Sequence, residues 1–344
     1  MSLTSHLKDP RSSIAQFIQQ RFSRSIAITK VANPQLRSCN TIKPATTSTW
    51  PYDKIGTALD YRIRYSFAIT PVKQLVAWHG ALHFITKPWE NENDVPFDWN
   101  DVPEGIGGIP LHTNGTGSPF NVAQGPYPLR LILSFFDRLD ATLQAVQPVG
   151  RLLEPEIERL LARFCYVLAL FEEVYRSGLS EDSPLLVPTP KASVDELLAI
   201  SEGGWIDDLC ALSTVFYDNY HHLLTQPHVL NPTFSGSRDV GGADADLVVD
   251  GCLIDIKTSI TPQIKAKYLY QLAGYLLLDY DDKLQVDSVG IYMARQGILF
   301  TWPVVEFLHL LTGNETVSLS QLRQEFCVIC KNTGLPPSRL KISS

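Results

Sequence analysis

Asp250 and Gly251 stand between two short apolar runs, Leu247-Val248-Val249 and Cys252-Leu253-Ile254. An Asp-Gly pair in that setting specifies a two-residue β-turn of type I′, whose two central residues both need positive φ. The turn fixes the pairing of everything around it. Val249 faces Cys252, Val248 faces Leu253, Leu247 faces Ile254, Asp246 faces Asp255 and Asp244 faces Lys257. Directly opposed residues share a face, as do alternate residues of one strand. Asp244, Asp246, Asp255 and Lys257 are therefore predicted on one face of the hairpin. Leu247, Val249, Cys252, Ile254 and Ile256 fall on the other.

Like charges directly opposite destabilise a strand pair by about 0.2–1 kcal/mol, so Asp246 opposite Asp255 needs an offset. A divalent cation supplies one, because paired carboxylates are hard oxygen ligands of the kind Mg²⁺ and Mn²⁺ take. Lys257 beside them is placed to stabilise developing negative charge or to orient a water. The plainer alternative is a solvated hairpin face on which Asp244 and Lys257 form an ordinary cross-strand ion pair.

Around the hairpin the pattern predicts a mixed fold. Spacing of about 3.6 residues marks helices over 11–25, 55–69, 129–147, 153–178 and 205–224. Ser193 with Glu196 forms a capping-box pattern. Residues 41–54 and 87–128 are rich in loop-forming residues. After Pro227 the chain reads as short strands over 228–234, 245–250 and 252–258, a helix over 261–279, and a second hairpin around Gln296-Gly297. Ser318 and Gln321 cap a last helix. The class is α/β or α+β, with a small mixed sheet flanked by helices. We divide the chain into a mainly helical region 1–204 and a strand-containing core 205–344, expected to form one body.

An Asp, a short hairpin, then Asp-x-Lys (Asp246, then Asp255-Ile256-Lys257) resembles the PD-(D/E)XK nuclease superfamily. Gln271-Leu272-Ala273-Gly274-Tyr275 on the following helix is similar to the Gln-x-x-x-Tyr motif of its RecB-like and Cas4-like branch. The likeness spans about 205–302, with His222-Leu223 near the end of a leading helix. It implies a restriction-endonuclease-like core and Mg²⁺- or Mn²⁺-dependent hydrolysis of nucleic-acid phosphodiesters, of DNA before RNA. Asp246, Asp255 and the Ile256 carbonyl would hold the metal, Lys257 would be the catalytic lysine, and Gln271 and Tyr275 would support the site. Ala245 stands where the motif has Pro, and Asp244 competes for the first Asp position. The branch's earlier His is echoed by Asp60 in "GTALDYRIR", a third ligand if residues 70–225 are a helical insertion; Asp208 and Asp218 are other acids for that role. The iron–sulfur cluster of some members is not expected, since Cys327 and Cys330 are followed by no further thiol and Cys39 lies far upstream. His221 and His222 are adjacent, so they point apart on a helix and make no zinc site. The competing function is a catalytically inactive protein of the same fold, binding nucleic acid or acting as a scaffold.

A net charge of −7 and a pI near 5.6 argue against binding nucleic acid by bulk positive charge. They leave room for local lysines, and Lys265 and Lys267 open the helix after the hairpin. Trp78, Trp89 and Trp99 border the long loop and could stack on bases, although core roles are more common for Trp. The N-terminal residues have no apolar stretch of the signal-peptide kind, and no apolar run reaches the roughly 20 residues a spanning helix needs. The expectation is a cytoplasmic protein, not membrane-bound, with scattered reduced cysteines.

Overall fold

The computed structural model of the chain describes residues 2–44, 51–86, 127–186 and 193–333. In chain order, α1 (Leu3–Lys8), α2 (Ser13–Arg21) and α3 (Ile26–Ser38) precede a run of helices. These are α4 (Tyr52–Phe67), α5 (Val76–Thr86), α6 (Tyr127–Val146), α7 (Pro155–Ser177), α8 (Val194–Leu198) and α9 (Gly203–Tyr220). Then come strands β1 (His228–Leu230), β2 (Leu247–Val249) and β3 (Cys252–Lys257), helix α10 (Ala266–Leu278), strands β4 (Ser288–Met293) and β5 (Ile298–Pro303), and helices α11 (Val304–Thr312) and α12 (Leu319–Asn332).

The chain divides into two units. One holds residues 1–43 and 225–344, the other residues 44–224. The expected boundary at 204/205 is therefore corrected twice: α9 belongs to the helical unit, and α1–α3 belong with the sheet. The cause is burial. Leu3, Ile14, Ile18, Phe22, Ile28 and Leu36 from the first three helices share a core with Leu269, Leu272, Phe307 and Phe326.

In the sheet unit the strand order is β1-β2-β3-β4-β5. β1, β2 and β3 run antiparallel in turn, β3 and β4 are parallel, and β4 and β5 are antiparallel. The parallel step requires a crossover, and α10 provides it. Asp250 (φ 48°) and Gly251 (φ 75°) both sit in the left-handed region that the type I′ turn demands. The register is as predicted: Leu247 opposite Ile254, Val248 opposite Leu253, Val249 opposite Cys252. The second hairpin closes through Gly297 at φ 63°, with Met293 opposite Ile298. Helix α10 starts later than predicted, at Ala266 after Pro262. Val248 and Leu253, on the face of the aspartates, pack with Leu269, Leu272, Tyr275 and Leu276 of α10. α1 crosses α10 where Gly274 leaves room: a Cβ there would stand 2.9 Å from Leu3 Cδ2.

In the helical unit α5 lies against α7 so closely that a Cβ on Gly80 would fall 1.7 Å from the Phe171 carbonyl oxygen. The fully buried Arg62 grips Glu158 with two hydrogen bonds, 2.6 Å from Nε and 2.8 Å from a terminal nitrogen. Such a planar, bidentate pair is the strong form of a buried ion pair. Tyr61 donates to Glu172 at 2.7 Å. Trp78 is a core residue, edge-on to Phe136 at 5.0 Å. Trp89, Trp99 and the predicted loop up to residue 126 lie outside the described residues, and α6 begins at Tyr127.

Candidate active site

The β2–β3 ladder ends at Leu247–Ile254. Asp246 is the next residue, and its side chain takes over where the backbone ladder stops: Oδ2 accepts the Ile256 N–H at 2.5 Å. The Asp246 carbonyl accepts from the Asn231 N–H at 3.0 Å. In an extended strand the N–H and C=O of one residue point to the same side. The Ile256 carbonyl is therefore directed past the end of β2, toward the side occupied by the Asp246 carboxylate.

On the neighbouring positions of β3, Asp255 is only 2% exposed and Lys257 is half-buried. The hairpin's charged face is thus covered by α10, and Asp255 is not on a solvated face. The Lys257 ammonium lies 2.5 Å from Asp255 Oδ2, yet that oxygen receives no well-aligned hydrogen bond. Lys257 donates instead to Gln271 Oε1 at 3.1 Å, and Gln271 Nε2 donates to Tyr275 Oη at 2.6 Å. Lysine has donors only, so it selects the oxygen end of the Gln271 amide and leaves the NH₂ end for the tyrosine. Tyr275 is buried and stacks on Phe234 with ring centroids 5.3 Å apart. The Lys257 ammonium also stands 5.2 Å from the centroid of the Tyr268 ring.

Burial pushes the Asp255 carboxyl above the ordinary carboxylate range, and the Lys257 ammonium pulls it only part of the way back. Burial would lower the pKa of Lys257, but Asp255 and then Asp246 outweigh it, so the lysine is held charged. Burial, reinforced by the negative charges of Asp255 and Asp246, keeps the Tyr275 phenol protonated far above neutral pH.

The structure thus brings together Asp246, Asp255, Lys257, Gln271 and Tyr275. Asp244 departs from its expected place. Opposition to Lys257 needed the β2–β3 ladder to continue past Leu247–Ile254; Asp244 instead forms a β-bridge with Thr233, its charge reaches Tyr275, and the carboxylate on Lys257 is that of Asp255 two residues earlier. Asp60 lies on α4 in the helical unit, ion-paired with Arg64. Asp208 is buried and Asp218 exposed, both on α9. His221 bonds to the Tyr217 carbonyl at 3.1 Å. Cys327 and Cys330 are on α12, where burial pushes the Cys330 thiol up to about 12 and so leaves it a small protonated apolar group. Cys39 donates to the Gln35 carbonyl at 3.1 Å.

Among the described residues no three His, Cys, Asp or Glu side chains gather as a metal site. The donor set just before β2 and on β3 is two carboxylates and a carbonyl, all hard oxygen. It suits a Mg²⁺ ion, which keeps several waters and takes one or two carboxylates. The buried Asp255 oxygen that lacks an aligned donor fits the same ion.

The motif missed Tyr268, which is three residues before Gln271 and so on its helix face; that spacing was the available signal. Family models, curated proteins and solved structures offer no match to this chain. Among the described residues no helix is long and apolar enough to cross a membrane.

Proposed function

We propose that the protein is a Mg²⁺-dependent nuclease of the PD-(D/E)XK type, with a restriction-endonuclease-like core, that hydrolyses phosphodiester bonds, in DNA before RNA. The observation that carries this is the buried Asp255–Lys257 pair, set beside Asp246 and steadied by Gln271 and Tyr275. An ion pair with one partner fully buried and the other half-buried is costly to keep for stability alone, and perturbed buried groups of this kind cluster where chemistry is done.

Asp246, Asp255 and the Ile256 carbonyl would hold the ion, which when bound lowers the pKa of a water and neutralises phosphate charge. Lys257 supplies a fixed positive charge to the phosphate as negative charge grows on its oxygens. Gln271 sets the direction of the ammonium, and Tyr275 sets the direction of Gln271. Asp246 holds the Ile256 peptide in place through its N–H.

A second reading, a catalytically inactive member that binds nucleic acid or a protein partner, draws on the absence of a third acidic ligand among the described residues. Calorimetric titration of Mg²⁺ or Mn²⁺ into wild type and Asp255→Ala, with cleavage of single- and double-stranded DNA on the same samples, separates the two. The nuclease reading expects metal binding and cleavage in wild type and neither in Asp255→Ala. Wild type that takes up no metal, even with DNA present, leaves the inactive reading standing.

A further inference from the structure

Three lysines beyond Lys257 converge on the N-terminal end of α10. Lys265 is the N-cap residue of that helix, Lys267 lies in its first turn, and no acidic residue is present in that turn. Lys8 comes from the last turn of α1, which packs across α10 through Leu3 and Gly274. Tyr268 ties the group to the site. Its ring has the Lys257 ammonium 5.2 Å from its centroid and the Lys267 ammonium 5.5 Å away. Lys8 and Lys267 are exposed and Lys265 is half-buried. None of the three is ion-paired with a carboxylate among the described residues. Burial first, then the charges of Lys265, Lys8 and Lys257, hold the Lys267 pKa below the ordinary lysine value, and no acid acts in the other direction.

The charges of Lys265, Lys8 and Lys257 all act unfavourably on the Lys267 ammonium. Asp255 neutralises Lys257 and the neighbouring Asp9 pairs with Arg11, but in a chain of net charge −7 no carboxylate among the described residues is ion-paired with Lys8, Lys265 or Lys267. We infer that Lys8, Lys265 and Lys267 form a phosphate track that holds the DNA backbone beside the bond cleaved next to Lys257. This rests on the nuclease reading above. The first-turn N–H groups of α10 and the positive end of its dipole face the same polyanion. The track gives an acidic protein a local hold on nucleic acid that its overall charge does not.

The test is the salt dependence of binding to a short fluorescein-labelled DNA single strand and its duplex, by anisotropy, without divalent metal. Each phosphate contact contributes about 0.7–0.9 to the slope of log K against log salt. The Lys8→Ala/Lys265→Ala/Lys267→Ala variant is expected to lower that slope by about 2–3. The corresponding triple Arg variant keeps it. A charge-matched control, Lys30→Ala/Lys283→Ala/Lys331→Ala, removes three exposed lysines of the same unit and leaves the slope alone. A slope that falls equally in both alanine variants, or in neither, overturns the track. If wild type still cleaves DNA and Asp255→Ala does not, that result removes the track alone; if wild type neither binds nor cleaves, the nuclease reading goes with it.

Discussion

Lys257 is held by contacts of three kinds: a carboxylate at 2.5 Å, an amide oxygen at 3.1 Å and the face of a ring. The amide is the adjustable one. Gln271→Ala leaves the lysine charged but free to turn, and the expected result is a loss of kcat of about 10–100-fold, as for partners that orient a ligand from behind, with little change in KM. Tyr275→Phe keeps the ring on Phe234 and removes only the acceptor of the Gln271 amide, so we expect about 1 kcal/mol of lost stability in denaturant melts and a smaller loss of rate. An equal loss from both variants would mean that the amide orients nothing. Period-two alternation made Asp246, Asp255 and Lys257 legible from the chain, and one helical turn joined Gln271 to Tyr275. Their burial was not legible, because the cover is α10 and α10 was placed by periodicity without a docking direction. Asp244 was misplaced for a related reason: alternation carries a register only as far as strands stay paired, and β2 begins only three residues after Asp244.

Helices and hairpins with local signals were readable. Ser193 accepts from the Glu196 N–H at 3.3 Å while Glu196 accepts from the Ser193 N–H at 2.6 Å, the reciprocal cap its spacing announced. Ser318 caps α12 in the same way on one side, accepting from Gln321. Pro155 opens α7 and Gly178, at φ 81°, ends it. Four helices went unassigned. α1 has six residues, too short for a period to show. α3 carries Pro34 inside it, α5 has Gly80 at its middle, and α11 starts with two β-branched valines directly after a strand. In each case tertiary packing outweighs local preference. Gly80 shows how. The missing Cβ that weakens α5 as an isolated helix is what lets it meet α7. Gly80→Ala is expected to force the two helices apart and cost about 1–3 kcal/mol, measured by thermal or denaturant unfolding; a neutral result would mean that α5 shifts freely on α7.

At the level of the whole chain, the sheet unit is assembled from two stretches, and the helical unit is continuous between them. The turn at Gly150 is exposed, with φ 74°, and separates α6 from α7. A protease site inserted there would leave each unit built from both sides of the cut, since α4 and α5 pack on α7 and α1–α3 pack in the core of α10 and α12. The nicked protein is expected to elute as one species from a sizing column and to separate only in denaturant. Fragments that part under native conditions would show that the two stretches of the sheet unit do not hold each other.

That division also sets a timetable for synthesis. Leu3, Ile14, Ile18 and Phe22 are made well before α10, yet the apolar surface they cover is on α10, which ends at Leu278. At about 5–20 residues per second the nascent chain carries these side chains without their partner for on the order of ten to fifty seconds. A ribosome-bound holdase would find its binding site in α1 and α2 long before the core of the sheet unit exists.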